Sequence, residues 1–312
     1  MTPDISVQIP VRDGGKEFTE TLESLRKQDT SYIRWELIII DDGSHIPVEE
    51  EFDLSFSTNV CVKTIRLDGS GNRPAARNAG WNATDAPVVL FSDGDIRFES
   101  DIIQGHLKYH RDNPNSILMG ARVNAWMDDA TPWQKWFDTR GMGNRPSGEF
   151  PPKYFVTGNI SIPLWLLKET GGFDEKIDKY GGEDTEFGFR ASHSKISFYW
   201  NPSLRVYHLD HVTVREHSLK MMEYGSSGLK YTLEKVPEAR GILGGDWIKP
   251  LSASPVSISM LLMRAITRIV LFPPLYRCIL GWMEKAGKPA FLFTYLSVAA
   301  CLIGLKGKSF KL

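Results

Sequence analysis

Over the first 90 residues, short apolar runs alternate with stretches whose apolar residues recur at helical spacing, the pattern of a mostly parallel sheet wrapped by helices. Ile5–Val11 reads as a strand, Phe18, Leu22 and Leu25 share one face of a helix over about 16–28, and Trp35–Ile40 reads as a second strand. Val60–Leu67 predicts a third strand, Pro74–Asn82 a helix, and Pro87–Ser92 a buried fourth strand. The expected architecture is α/β, with a Rossmann-like, doubly wound first half. From about 120 to 155 the periodicity gives way to Trp, Gly, Arg and Pro, the composition of a long surface loop. Trp126, Trp133 and Trp136 in that loop suit either stacking on a sugar or internal packing. Regular pattern resumes with Tyr154–Ile162, a helix near 163–170, a helix from Glu183 to Ser192, and strands near 196–200 and 204–207. An amphipathic helix over about 217–235 precedes a Gly-rich joint, GILGG, and an apolar tail. The expected division is a catalytic domain over 1–235 and a helical tail over 236–312.

Composition narrows the class. At 312 residues, with 42% hydrophobic and 24% charged side chains, the chain suits one large domain with an appendage. A mean hydropathy of -0.24 argues against a polytopic membrane protein. The formal net charge of -1 conceals an asymmetry. Residues 251–312 hold Arg264, Arg268, Arg277, Lys285, Lys288, Lys306, Lys308 and Lys311 against Glu284 alone, +7, which leaves -8 for the rest. The body is therefore not expected to bind nucleic acid, and any anionic surface is met by the tail. Cys61, Cys278 and Cys301 lie far apart without metal spacing, which fits a reducing compartment. The opening MTPDISVQIPVRDGG has no basic stretch followed by an apolar one, so no secretory signal is expected and the catalytic body should be cytoplasmic.

In doubly wound sheets, ligands bind beyond the carboxyl ends of the strands. Those ends carry Arg12 and Asp13, then Asp41-Asp42-Gly43-Ser44, then Asp93-Gly94-Asp95. In FSDGDIRF, Gly94 permits a tight bend between two carboxylates that can share one hard cation such as Mg²⁺ or Mn²⁺ and, through it, a diphosphate. Asp-x-Asp also serves as a simple turn or cap. In IIIDDGSH a carboxylate can accept from a base N–H or a ribose hydroxyl, or else cap the next helix. GNRPAARNAG sets Arg73 and Arg77 at a helix start, where guanidinium and backbone N–H groups can hold a diphosphate. In KYGGEDTEFGFR the two glycines let the backbone approach a ligand, and Glu183 and Asp184 open a helix; an Asp there can act as a general base or merely favour the helix dipole. VYHLDH offers His208 as a metal ligand, with His211 as competitor.

Taken in order, QIPVRDGG, IIIDDGS, NRPAARNAG, FSDGD, GGFDEKIDKYGGEDTEFGFR and VYHLDH resemble the motif series of family 2 glycosyltransferases of the GT-A fold over about residues 4–212. The second half is similar to the C-terminal motif region of galactosyl- and N-acetylgalactosaminyltransferases. The resemblance implies a nucleotide-sugar half over 1–115, an acceptor half over 116–235, and inverting transfer from a nucleotide-diphospho-sugar, with uridine the expected nucleoside. It implies that Pro10, Val11, Arg12 and Asp42 line the nucleoside pocket and that Arg77 lies near the diphosphate, with Arg73 its competitor. It also implies that Asp93 and Asp95 form the metal and ribose site, with Asp95 the direct ligand of Mn²⁺ or Mg²⁺ and His208 completing the shell. Asp184 then matches the acceptor-activating base, and Glu183 holds sugar hydroxyls.

Two other classes compete. A nucleotidyltransferase also uses paired acids on such a domain, but QIPVRDGGKEF is thin as a phosphate loop. A catalytically inactive sugar-binding scaffold would not need both acid pairs and the His. In the tail, residues 290–305 form an uncharged apolar run just under the roughly 17–25 residues that span a bilayer. With its flanking lysines it suits peripheral contact with an anionic cytoplasmic leaflet, and hence a glycan or lipid-linked acceptor; the competing reading is helices packed on protein.

Overall fold

The computed structural model describes residues 2–69, 71–125, 130–252 and 257–307. Its elements run β1 (Ile5–Val11), α1 (Gly15–Arg26), β2 (Trp35–Asp41), α2 (Val48–Glu51), β3 (Val60–Arg66), α3 (Arg73–Asn82), β4 (Val88–Ser92), β5 (Ile96–Phe98), α4 (Ile102–Asp112) and β6 (Ser116–Asn124). Then follow α5 (Pro132–Asp138), β7 (Gly148–Glu149), β8 (Asn159–Pro163), α6 (Leu164–Thr170), α7 (Glu183–Ala191) and β9 (Ser197–His208). The remainder is helical: α8 (Val214–Ser226), α9 (Gly228–Lys235), α10 (Ala239–Ile242), α11 (Lys249–Ser252), α12 (Ile258–Val270), α13 (Pro273–Ala286) and α14 (Phe291–Leu305). The chain divides into two compact units, one of residues 1–126, 138–178 and 187–210, the other of 127–137, 179–186 and 211–312.

The first unit holds the sheet, whose strands pair in the order β3-β2-β1-β4-β8-β6-β9-β5, with β7 on β9. The opening quartet β3-β2-β1-β4 is parallel throughout, as the alternating pattern predicts. Beyond it the sheet is mixed: β8 runs antiparallel to β4 and β6, β6 and β9 are parallel, and β5 and β7 are antiparallel to β9. β2 is buried along its whole length, so WELIIID reads as a continuous apolar run rather than an alternation. Its one internal charge, Glu36, is matched by Lys63 at 2.8 Å and by the Thr84 hydroxyl. Phe18, Leu22 and Leu25 of α1 are buried on one face, the spacing that defined the helix. The region expected as a loop from 120 to 155 contains the end of β6, α5 and β7; Trp126 lies outside the described residues. The strands expected near 196–200 and 204–207 are one strand, β9, whose pairing with β6 shifts register between Gly120 and Ala121.

A directed polar network crosses the interior of this unit. Asn159 Nδ2 donates to the Ala121 and Leu204 carbonyls at 3.1 and 3.0 Å, so its Oδ1 accepts from His106 Nε2 at 3.0 Å. His106 Nδ1 then carries no proton and accepts from the Ser161 hydroxyl at 2.7 Å, while His110 Nε2 donates to that same oxygen at 2.7 Å. Every link works with both rings neutral. Burial agrees: it pushes His106 down to about 3 and His110 down to about 4.

In the second unit, α8 and α14 pack at backbone contact. A Cβ on Gly225 would fall 1.9 Å from the Cys301 carbonyl oxygen, and one on Gly304 would fall 2.1 Å from that of Met222. Phe293, Leu296, Ala299, Ala300, Leu302 and Ile303 of α14 are buried there with Trp133, Val214, Met222 and Tyr276. The apolar run 290–305 is thus largely consumed by protein, and among the described residues no single helix is long and apolar enough to cross a membrane. Trp133 and Trp136 stack at 5.1 Å, and both lie against Phe293 and His217, so they are packing residues. The helix expected over 217–235 is broken into α8 and α9 at Ser227, and α8 opens with a capping box of Thr213 and Glu216.

Candidate active site

Three strand ends of the first unit carry the polar residues singled out above. At the end of β1, Pro10 is half-buried, Val11 is buried and its carbonyl accepts from the Asp42 N–H at 2.9 Å, which ties β1 to β2. Arg12 is exposed and donates to the Gly69 carbonyl at 3.3 Å. Asp13 adopts a positive φ of 50°, accepts from the His45 N–H at 2.8 Å, and donates its own N–H to Ser44 Oγ at 2.9 Å.

At the end of β2 the two carboxylates part company. Asp41 accepts from the Ser44 N–H at 2.7 Å and from the Val48 N–H at 3.4 Å, and pairs with Arg66. Burial works against its charge, yet these bonds and the guanidinium hold it below the usual carboxylate range. Asp41 therefore builds the turn. Asp42, also buried, has an Oδ1 that no donor reaches among the described residues. Burial pushes its carboxyl up, against the Gly71 N–H and the Arg12 charge, so it is a buried acceptor in want of a donor.

Asn72 caps α3 by accepting from the Ala75 N–H at 3.1 Å. Arg73 is exposed in the first turn, whereas Arg77 is buried with its guanidinium 5.6 Å over the Phe173 ring. Gly94 sits against Pro10, Val11 and Phe18. Its carbonyl accepts from Thr21 Oγ1 at 3.0 Å, which fixes the bend between Asp93 and Asp95.

The β5–β9 ladder then brings distant residues together. Ile96 pairs with His208, and the Leu209 N–H donates to the Asp95 carbonyl at 2.8 Å. This register sets His208 Nε2 3.2 Å from Asp95 Oδ2. Ligand atoms of Asp95, His208 and Asp210 all lie within 4.8 Å of one another. Asp95 Oδ1 is buried and meets no donor among the described residues. Burial alone would raise the Asp95 carboxyl, but the His208 ring and the Arg122 guanidinium hold it below the usual range. Two carboxylates and an imidazole, one oxygen left without a donor, form a donor set that fits Mn²⁺ or Mg²⁺. Asp93 points its carboxylate to Arg122 Nη1, 3.3 Å away, rather than into that cluster. His211, the competitor for His208, instead hydrogen-bonds Gln134 at 2.9 Å.

Glu183 and Asp184 open α7 and belong to the second unit, Glu183 buried and Asp184 half-buried. Nearby Glu186 is fully buried and pairs with Lys235 at 2.7 Å, a structural role. The glycines before them do something other than expected. A Cβ on Gly228 would fall 1.8 Å from the Gly181 carbonyl oxygen, and one on Gly182 2.7 Å from the Gly228 Cα. Gly181 and Gly182 thus admit the start of α9 rather than a ligand.

Arg122 and Asp210 are site residues that sequence reasoning missed. Asp210 sits two residues after His208, a spacing visible in VYHLDH; Arg122 gave no signal, because strand β6 runs through a stretch that reads as irregular.

A family profile described as glycosyl transferase family 2 matches residues 6–170, and one described as the N-terminal domain of galactosyltransferase matches residues 144–212. Validoxylamine A glucosyltransferase of Streptomyces hygroscopicus subsp. jinggangensis is 26% identical over 216 residues, covering 60% of this chain and 51% of that protein. Pre-mycofactocin glycosyltransferase of Mycobacterium tuberculosis is 25% identical over 230 residues, covering 72% and 46%. The chain spans about half the length of the curated relatives it matches. Among solved structures, the mannosyltransferase PcManGT from Pyrobaculum calidifontis in complex with GDP-Man and Mn²⁺ superposes with a TM-score of 0.62 at 14% identity, covering 99% of this chain and 89% of that one. S. aureus TarS 1–349 in complex with UDP-GlcNAc gives 0.51 at 17%, covering 98% and 91%. At such identities the likeness is one of fold.

Proposed function

The chain belongs to glycosyl transferase family 2 and has the GT-A fold, and on that footing we propose that it is an inverting, metal-dependent hexosyltransferase acting from a nucleoside diphosphate sugar, with uridine the expected nucleoside. The cluster of Asp95, His208 and Asp210 carries the proposal, because its buried, donorless oxygen asks for a cation. The nucleotide sugars named in the structures of PcManGT and TarS support such a donor.

Each residue then has a task set by its surroundings. Asp42 accepts from the base or the ribose, beside the Arg12 charge and the Pro10–Val11 edge. Arg73, exposed at the first turn of α3, meets the diphosphate together with backbone N–H groups, and Arg77 backs it from below. Asp93 is fixed by Arg122, which leaves Asp95 and His208 to hold Mn²⁺ or Mg²⁺. That cation, when bound, offsets the charge gathering on the departing diphosphate. Asp184 takes the proton of the acceptor hydroxyl as its oxygen bonds to the anomeric carbon and the bond from that carbon to the diphosphate oxygen breaks. Glu183 holds sugar hydroxyls. The acceptor is a cell-surface glycan or a lipid-linked sugar, met at the cytoplasmic face of the membrane.

The test is binding and hydrolysis of UDP-, GDP- and dTDP-sugars with and without Mn²⁺ or Mg²⁺, with Asp95→Ala beside the wild type. Turnover of one donor that needs the metal and disappears in the variant is the expected result. Failure of every nucleotide sugar to bind under either metal would overturn the proposal.

A further inference from the structure

α12 is amphipathic, and it is turned inside out. A helix on a protein body ordinarily lays its apolar stripe on the core and its polar side in water. Here none of the residues of α12 is buried. Ile258, Leu262, Ile266 and Ile269 follow one stripe and are 77%, 60%, 59% and 62% exposed. The positions that gain partial cover are Met260, Arg264 and Thr267 on the opposite side, where Arg264 Nε donates to the Pro250 carbonyl at 2.7 Å. The apolar surface continues through Phe272 onto the outer side of α13, at Leu275 and Trp282, while the inner side of α13 buries Tyr276, Leu280 and Met283. Exposed apolar surface of this extent marks an interaction site.

Charge selects the occupant. The described stretch 257–307 carries Arg264, Arg268, Arg277, Lys285, Lys288 and Lys306 against Glu284 alone. Even that carboxylate is spent on Arg215, which holds it through two bonds of 2.7 Å. A second copy docking through the same patch would set positive rim against positive rim. Arg264 is turned to the covered side, but Arg268, Arg277 and Lys285 are exposed. Apolar surface accompanied by such cations suits the interface of an anionic bilayer, where the stripe enters the acyl boundary and the guanidinium and ammonium groups meet phosphate. By length and composition the α12–α13 pair could form a bent span or re-entrant loop, but an in-plane mode fits its packing better. α12 and α13 bend by 47° at their joint, and α13 stays attached to protein along one side.

We propose that α12 and the outer side of α13 form an in-plane docking surface for anionic lipid, and that α14, the most apolar segment, takes no part. This deepens the membrane location proposed above and is independent of the transfer reaction.

The experiment is vesicle flotation of the full chain with phosphatidylcholine alone and with added phosphatidylglycerol, in the absence of donor and acceptor. The wild type is expected to float with the anionic vesicles and to release in high salt. Leu262→Glu/Ile266→Glu/Ile269→Glu should weaken partition by about tenfold or more, since it puts charge where apolar surface enters the interface. Arg268→Glu/Lys285→Glu should weaken binding to anionic vesicles selectively. Both variants alter exposed side chains outside the catalytic set, so an unchanged circular dichroism spectrum and thermal unfolding midpoint certify their fold. A wild type that stays in the soluble fraction, or a triple variant that floats as well as it, overturns the proposal. So does a dimer in solution that the triple variant dissolves without any effect on flotation. None of these results bears on donor turnover, so failure here and failure of the transferase reading stay distinct.

Discussion

Acid should weaken the first unit through two rings, and the size of the effect follows from their burial. His106 and His110 are held neutral by the chain that runs from His110 through Ser161 and His106 to Asn159. Their folded values, about 3 and about 4, lie below the ordinary value of 6.5. Between those limits the unfolded chain binds more protons than the folded one, so stability is intact above pH 6.5 and falls as pH drops below it. Each ring loses about 1.4 kcal/mol per pH unit in that window. At pH 5 that is about 2 kcal/mol for each ring and about 4 for the pair, a large part of the roughly 5–15 kcal/mol that holds a domain together. The assay is urea unfolding at intervals from pH 7.5 to 5, wild type beside His110→Gln, whose amide can still donate to Ser161 but does not titrate. The variant should lose about half as much stability over that range as these two rings cost the wild type. Equal acid slopes for the two proteins would refute the neutral-ring assignment.

Two further expectations concern catalysis. Gly228→Ala would drive a methyl group into the Gly181 carbonyl and push the start of α7 aside. It should cost about 1–3 kcal/mol of stability and lower kcat by about tenfold or more, read from thermal unfolding and donor-saturated turnover together. A variant as stable and as active as the wild type would show that the contact does not position Asp184. Asp184→Asn should lower kcat by about 10²–10⁴-fold while donor binding, measured by titration calorimetry, is unchanged. Weakened donor binding with normal kcat would assign Asp184 to the donor instead.

The parallel quartet of the first unit was legible because burial on both faces leaves continuous aliphatic runs such as LIII, and the helices between them announce themselves by spacing. Asp42, Asp95 and His208 were legible as residues at strand ends. What could not be read was which of two adjacent groups is already engaged. Asp41 and Asp42 differ only in their neighbours, Ser44, Val48 and Arg66, and those neighbours depend on the turn. The glycines of KYGGED looked like room for a ligand because the sequence cannot tell a substrate from Gly228 as the body that comes close. Residues 290–305 posed the same problem: an apolar run of that length suits lipid or α8 equally, and only the approach of Gly225 and Gly304 decides. α12 was the reverse case, since the outward direction of its apolar stripe has no trace in the order of its residues.

The place of β5 in the sheet has a consequence for how the protein comes into being. β5 is three residues long, and among the described residues its ladder partner is β9, which enters the sheet between β6 and β5. Until β9 has been synthesised, at about 5–20 residues per second, Asp95 belongs to a segment that is tied to Thr21 and Ser24 of α1 but lacks its ladder partner. A nascent chain halted before β9 carries the whole of FSDGD but neither His208 nor Asp210 of the candidate cation cluster. The proposed cation cluster is therefore completed in one late step, when a distant strand threads into place, whereas Arg12, Asp42, Arg73 and Arg77 all precede that strand in the chain.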